Sequence, residues 1–147
     1  MQFVIKKKIN KILVPIDGSK NSLRGLEMAI SIARQFSATI TGVYSINIPP
    51  HSEFGKVGAV EASHNKEIRD IMDASKVLAA QNGIVFNEKL MRGDIGYNII
   101  KLAHDKKSKF DLIVMGSRGR GAIKELFLGS VSNYVIHTAK IPVLLVK

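Results

Sequence analysis

Short apolar runs alternate with segments of helical periodicity along almost the whole chain, and this alternation restricts the possible folds more than any other feature. Runs rich in Ile, Val and Leu predict five strands, at residues 11–16, 38–46, 84–91, 111–115 and 141–146. Alternating strands and helices imply a parallel sheet with right-handed crossovers. We therefore expect one domain over residues 1–147, an α/β fold whose five-stranded doubly wound sheet has the order 3-2-1-4-5 and helices on both faces.

Four helices are predicted from apolar residues at spacings of three and four. Ser19 and Asp94 precede the first and third helices as N-caps, and Gly83 follows the second as a C-terminal cap. The predicted inner faces are Leu23, Leu26, Ile30 and Ala33 in the first helix, Ile68, Ile71, Met72, Ser75, Leu78 and Ala79 in the second, Ile95, Ile99, Leu102 and Ala103 in the third, and Val131, Tyr134 and Val135 in the fourth, from Ser130 to about Thr138.

A spaced glycine pattern lies between the fourth strand and the fourth helix. It consists of Gly116, Gly119, Gly129 and Ser130. Glycines let backbone N–H groups approach an anion, and the start of a helix adds unpaired donors and a positive dipole end. The pattern predicts a nucleotide phosphate cradle, with a merely flexible surface turn as the alternative.

Two better-known phosphate motifs do not match these residues. A Walker loop requires Lys-Ser or Lys-Thr after its second glycine, and Gly121 is followed by Ala122 and Ile123. A Rossmann fingerprint requires Gly-x-Gly-x-x-Gly in the first strand-helix turn, which here reads Asp17-Gly18-Ser19-Lys20. In a doubly wound sheet, however, the crevice lies at the carboxyl ends of strands one and four. Asp17 and Gly116 should therefore converge on one site.

Composition restricts the remaining function classes. The chain has no cysteine, which excludes disulfides, thiolate metal sites and a cysteine nucleophile. No apolar run reaches the roughly 18 residues of a membrane span, and no signal peptide is recognisable, so we expect a cytoplasmic protein. The formal charge of +10 favours anionic partners. Nucleic acid is the less favoured partner because the aromatics are not interleaved with the cations, and the clusters at residues 6–11 and 101–109 are expected to be solvated faces.

The residues named so far resemble the universal stress protein family, on its ATP-binding side. The resemblance runs from Ile12 to Val146 and rests on residues 12–19, 92–94, 115–119 and 129–132. It implies an adenine nucleotide α-hydrolase-like fold that binds ATP. The implied adenine and ribose contacts are Pro15, Asp17 and Val43, with Met91 and Gly93 nearby. The implied ribose and phosphate turn is Met115, Gly116 and Gly119, with Arg118 at a position where the family commonly has histidine or arginine. The implied triphosphate cradle is Gly129, Ser130, Val131 and Ser132.

The resemblance also implies that Asp17 approaches a phosphate-bound Mg²⁺ or Mn²⁺ through water. Other interpretations of these residues stay open: Asp17 as a turn residue, Asp94 as a helix cap, and Val43, Met91 and Met115 as core. The four histidines show no metal-ligand spacing and are expected in surface or core positions.

Binding is better supported than catalysis, because no Ser, His and Asp arrangement is recognisable. The leading hypothesis is an ATP-binding stress-response or signalling regulator, a homodimer paired through the last strand, that presents a nucleotide-dependent surface to an unidentified protein partner. The alternatives are a slow ATPase or nucleotidyl-transfer enzyme of the same architecture, and a basic nucleic-acid-binding protein.

Overall fold

The fold is a five-stranded sheet with all neighbouring strands parallel, in the order β3-β2-β1-β4-β5. The computed structural model describes residues 8–47, 57–118 and 128–147, and for residues 57–64 the backbone alone. Its elements are β1 (Lys11–Pro15), α1 (Lys20–Phe36), β2 (Thr39–Ile46), α2 (Val57–Gln81), β3 (Phe86–Arg92), α3 (Ile95–Ala103), β4 (Leu112–Gly116), α4 (Ser130–Thr138) and β5 (Val143–Val146). The predicted α/β class and strand order are confirmed.

Two separate apolar cores lie on the two faces of the sheet. Alternate residues of β1 point to opposite faces, as strand geometry requires. Ile12 and Val14 pack in the cluster that contains residues of α1 and α2, and Leu13 packs in the cluster of α3 and α4. The central strands are therefore buried on both faces, which explains their continuous apolar runs.

The predicted helix boundaries are observed where the sequence supplies a cap. Ser19 Oγ accepts a hydrogen bond from Ser22 N over 3.1 Å, and Asp94 Oδ1 accepts one from Tyr97 N over 2.7 Å. Gly83 follows α2 with φ +72°, a conformation that costs glycine little. None of the described helices is both long enough and apolar enough to cross a membrane.

The predicted inner faces of α1 and α4 are wrong at two residues. Leu23 is 48% exposed, because the face of α1 that packs on the sheet instead begins with Ser22 and Gly25. Tyr134 is 42% exposed, although one side of its ring lies against Gly96 of α3. The close contact of α1 with β4 is made at Gly25, and the close contact of α4 with α3 is made at Gly96. The large side chains of Leu23 and Tyr134 lie at the margins of these contacts and stay partly exposed.

Candidate functional site

The carboxyl ends of β1 and β4 lie side by side at the middle of the sheet. Ile12 pairs with Leu112, and Leu13 pairs with Ile113. Helix α1 begins just after β1, and α4 begins after the segment that follows β4. Two helix N-termini and two strand ends therefore meet at one edge, which we call the carboxyl edge.

Asp17 forms a tight turn between β1 and α1. Its Oδ1 accepts a hydrogen bond from Ser19 N over 2.8 Å, and its own N–H donates to Ser22 Oγ over 3.1 Å. The side chain is half-buried. Its second carboxylate oxygen accepts no hydrogen bond within the described parts of the chain. Asp17 thus serves as a turn residue and still presents one oxygen for a further contact.

Gly116 allows α1 to approach the end of β4 closely. A Cβ at this position would lie 2.6 Å from the backbone carbonyl carbon and oxygen of Asn21. From the other side, a Cβ on Gly25 would lie 3.0 Å from Gly116 N. The glycine at 116 is therefore explained by helix packing, independently of any ligand.

Ser117 connects the end of β4 to the start of α4. Its N–H donates to Val146 O, and its carbonyl oxygen accepts from Gly129 N, each over 2.8 Å. The same carbonyl accepts from Ser132 Oγ over 2.7 Å, and Ser132 Oγ also lies 3.0 Å from Gly129 O. Ser132 is 2% exposed. These bonds fix the position of the first turn of α4 relative to the sheet.

The start of α4 has no side-chain cap. Gly129 is the N-cap, with φ −69° and ψ 161°, and no side chain in the described ranges accepts a hydrogen bond from the first turn. The first intrahelical bond runs from Asn133 N to Gly129 O. The N–H groups of Ser130, Val131 and Ser132 have no acceptor among the residues that the structure describes. Together with the dipole of the helix, they form a set of donors for an anion.

The remaining predicted contacts occupy two different environments. Val43 and Met115 are buried in the core cluster on the α3 and α4 face, and the half-buried Met91 and Val131 pack against that cluster. Pro15 is half-buried at the end of β1, where its register partner is Val43. Val43 and Met115 therefore lie beneath the carboxyl edge and expose almost no surface to a ligand.

Gly93 ends β3 in a left-handed turn with φ +107°. Its N–H donates to Ile46 O over 2.9 Å. The buried Asn98 supports the turn by donating from Nδ2 to Arg92 O over 3.0 Å. The predicted contact at Gly119 lies outside the described residues, and the neighbouring Arg118 is half-buried. The nucleotide contacts assigned from sequence stay predictions.

Sequence reasoning missed three residues that organise this edge. Ser22 acts through a local hydrogen bond from Asp17 N, and Ser117 through backbone hydrogen bonds to residues distant in sequence; hydrophobic periodicity indicates neither. Asn98 had a recognisable signal, because it is a polar residue on the apolar face of α3, one position before Ile99. Buried polar side chains of this kind require partners, and its partners are the backbone of the preceding turn and Ser45 Oγ.

Comparison with known proteins gives consistent matches over nearly the whole chain. A sequence profile of the universal stress protein family matches residues 8–147. A universal stress protein of Methanocaldococcus jannaschii is 33% identical over 140 residues, which cover 93% of this chain and 81% of the relative.

Solved structures agree with the sequence matches. The universal stress protein UspA from Lactobacillus plantarum has a TM-score of 0.83 at 21% identity, covering 97% of this chain and 100% of that one, and shows the same fold. A universal stress protein solved in complex with cAMP has a TM-score of 0.72 at 26% identity, covering 95% and 98%.

The sheet order defines a doubly wound α/β protein, with the fold of the solved universal stress protein from Lactobacillus plantarum. Within that class, the chain belongs to the universal stress protein family.

Proposed function

We propose that this protein binds ATP at the carboxyl edge, between the starts of α1 and α4, and acts as a nucleotide-dependent regulator in the cytoplasm. The observation that carries the proposal is the uncapped first turn of α4, fixed to the end of β4 through Ser117. A helix start with free N–H groups is suited to phosphate, and its value for binding rises when it is rigidly positioned.

The residues present fit a phosphate group at this position. Gly129 carries no side chain over the donors, and the exposed Ser130 adds a hydroxyl at the first helical position. In this proposal Ser132 acts indirectly, because its hydroxyl already donates within the protein and its N–H alone is available. The described carboxylate beside this position, Asp17, is held by Ser19 N.

An adenine nucleotide is favoured over other phosphate ligands by the cAMP complex of the similar universal stress protein. The sequence pattern of this chain, with Gly129 and Ser130 opening α4, adds room and donors for a longer phosphate chain. Pro15, Met91 and Gly93 line the same edge and are proposed to contact the base and ribose.

A divalent ion, Mg²⁺ or Mn²⁺, is proposed to accompany ATP and to be held by the phosphates. The described residues contain no group of three or more His, Asp or Glu side chains able to hold a metal. The free oxygen of Asp17 suits an outer contact through water, because hydrated Mg²⁺ is commonly bound by one or two carboxylates and the substrate phosphates. The bound ion would neutralise phosphate charge.

Regulation is favoured over rapid catalysis by the state of the nearby carboxylates. Asp17 and Asp94 each hold a backbone N–H at a helix start, through Ser19 N and Tyr97 N. In this proposal the second oxygen of Asp17 faces the hydrated metal ion and Asp94 caps α3, so neither carboxylate is left to orient the attacking water that hydrolysis of ATP requires.

The test combines extraction and titration. Nucleotide released from freshly purified protein is identified by chromatography, and the emptied protein is titrated calorimetrically with ATP, ADP, AMP, cAMP, GTP and inorganic triphosphate, each with and without Mg²⁺. We expect ATP to bind more tightly than GTP. Equal affinity for ATP, GTP and inorganic triphosphate would reduce the site to a general anion site, and no binding would contradict the proposal.

A further inference from the structure

Six lysines from three separate segments meet at the opposite, amino edge of the sheet. Lys8 and Lys11 lie at the start of β1, three lie in the loop before β4, and one lies in the turn before β5. All six are exposed: Lys8, Lys11, Lys106, Lys107, Lys109 and Lys140. We call this set the lysine face. These residues could not be grouped from sequence alone, because they are up to 132 positions apart, from 8 to 140.

Hydrogen bonds between the three segments hold the lysine face together. Asp111 Oδ2 accepts from Asn10 N over 2.8 Å and from Lys11 N over 3.1 Å, and Asp111 N donates to Lys11 O over 2.9 Å. Lys140 N donates to His104 Nε2 over 2.9 Å. The backbones that carry the charges are therefore fixed before any partner binds, which lowers the entropic cost of binding.

The positive charge of the lysine face is not neutralised locally. Asp105 and Asp111 are its carboxylates, so six lysines and two carboxylates leave a formal charge of +4. None of the six lysines forms an ion pair with a carboxylate in the described ranges. The hydrogen bond from Ser108 Oγ lowers the pKa of Asp105, which keeps this side chain ionised.

Stabilisation of helix C-termini does not explain why most of these lysines lie at the amino edge. A cation stabilises a helix C-terminus only within about the last turn. Lys101 occupies that position in α3, whereas Lys106, Lys107 and Lys109 follow the C-cap His104. Lys8 and Lys11 lie at the start of a strand.

A shallow hollow adjoins the lysine face on the β2 and β3 side. It measures about 370 Å³ and lies between the ends of α1 and α2. Its apolar lining comprises Ala33, Ala38, Ile84 and Val85. Thr39, also in the lining, donates from its N–H to Asn10 O over 2.9 Å and so joins the hollow to the start of β1. Val85 is 62% exposed at this end of the sheet.

We propose that the amino edge binds an acidic segment of a partner protein, with carboxylates on the lysine face and one apolar side chain in the hollow. Charge complementarity supplies attraction and orientation, and the apolar contact is made only by a protein partner. Nucleic acid fits less well. The six charges of the lysine face come from lysine, which lacks the planar fork with which arginine binds phosphate in two places; one arginine, Arg34, lines the adjoining hollow. Phe110 beside it is buried, which removes a stacking surface.

The probes are a fluorescent peptide in which aspartates flank a single leucine, the same peptide with glycine for leucine, and a DNA duplex of random sequence. Binding is measured by fluorescence anisotropy at low and at physiological ionic strength. The variant carries Lys106→Gln, Lys107→Gln and Lys109→Gln. A matched control carries Arg69→Gln, Lys76→Gln and Lys89→Gln, which remove three exposed cations elsewhere.

We expect the leucine peptide to bind with an affinity that falls about tenfold in the lysine-face variant and less than about twofold in the control. The glycine peptide should bind several times more weakly than the leucine peptide. ATP affinity and thermal stability should be the same in all three proteins, so this result is independent of the nucleotide proposal.

Three outcomes would overturn the inference. The first is no lysine-dependent peptide binding below about 1 mM. The second is an equal loss in the control variant, which would indicate attraction by net charge alone. The third is tighter binding of the DNA duplex with the same lysine dependence, which would assign the face to nucleic acid.

Discussion

The hydroxyl of Ser132 donates to the carbonyl oxygen of Ser117 over 2.7 Å, and this bond joins the first turn of α4 to the end of β4. The two residues are 15 positions apart, and Gly119, Gly129 and Ser130 of the glycine pattern lie between them. The N–H of Gly129 donates to the same oxygen. The geometry of the proposed phosphate site thus depends on the backbone carbonyl of Ser117, to which no role was assigned from sequence.

Ser132→Ala and Ser130→Ala should separate support of the site from contact with the ligand. Ser132→Ala removes one buried hydrogen bond, but Ser117 O keeps Gly129 N, so we expect a loss of about 1 kcal/mol in the free energy of unfolding. Ser130 is exposed, so Ser130→Ala should change that free energy by less than about 0.5 kcal/mol.

For ATP affinity we expect the reverse: Ser130→Ala should weaken binding more than Ser132→Ala does. A bond from Ser130 to a charged phosphate contributes about 1.5–3 kcal/mol, so Ser130→Ala should weaken ATP roughly ten- to a hundredfold. Urea unfolding and calorimetric titration measure the two effects. A Ser130→Ala protein with unchanged ATP affinity would remove that hydroxyl from the site.

Gly129→Asp should abolish ATP binding while leaving the fold intact or more stable. The backbone at Gly129 has N-cap dihedral angles that any residue adopts, and aspartate is a preferred N-cap. Its carboxylate would accept from the same N–H groups that we assign to phosphate and would repel the ligand. Stability should rise by up to about 1 kcal/mol.

Gly129→Ala is the matched control, because it adds a side chain without charge at the same dihedral angles. It should retain most of the ATP affinity. If Gly129→Asp instead unfolds the protein, the N-cap assignment is wrong; if it binds ATP normally, the phosphate lies elsewhere.

The fold could be predicted from sequence because burial on both faces leaves a strong pattern. The central strands β1 and β4 are continuous apolar runs, and polar or glycine caps mark several helix ends. The inner face of α1 was harder to predict at Leu23. Close packing of Gly25 against Gly116 is a tertiary contact, and hydrophobic periodicity does not report it.

The candidate site was predicted in outline because strand order alone brings Asp17 and the end of β4 to one edge. Its supporting bonds could not be predicted, since the hydrogen bonds of Ser22 and Ser117 depend on distances that the tertiary packing sets. Gly116 shows a related limit. A glycine that lets α1 pack closely and a glycine that admits a ligand look the same in a sequence.

We predict a two-fold homodimer that pairs through β5. This strand is at an edge of the described sheet, and edge strands with apolar side chains are usually paired or covered. Leu144 is 36% exposed, whereas Leu145 packs against the α3 and α4 core. Leu144→Lys should therefore weaken the dimer with little damage to the fold, and Leu145→Lys should also destabilise the protomer.

Light scattering and sedimentation at micromolar concentration measure the assembly. Leu90→Lys is the control, since Leu90 is exposed on the opposite edge strand β3. It should leave the dimer unchanged. A wild-type protein that is monomeric under these conditions would contradict the prediction.

ATP should stabilise the fold far more than the protein turns it over. Ligand at a hundred times its dissociation constant adds about 2.7 kcal/mol to the folded state, which for a chain of this size raises the melting temperature by about 5–10 °C. Turnover should stay well below the roughly 1–1000 per second of dedicated enzymes.

Asp17→Asn tests whether the Asp17 carboxylate contributes to ATP binding and to ATP turnover. Asparagine can still accept from Ser19 N, so the turn should persist, but the charge that faces the proposed hydrated metal is lost. We expect weaker Mg²⁺ dependence of ATP binding and no faster hydrolysis. Asp94→Asn is the control, because it removes a carboxylate charge that also holds a backbone N–H, at the N-cap after β3, and should leave the Mg²⁺ dependence unchanged. Phosphate release under single- and multiple-turnover conditions decides the matter: turnover of wild-type protein in the enzyme range, lost in Asp17→Asn, would replace the regulator with an ATPase whose acidic group is Asp17.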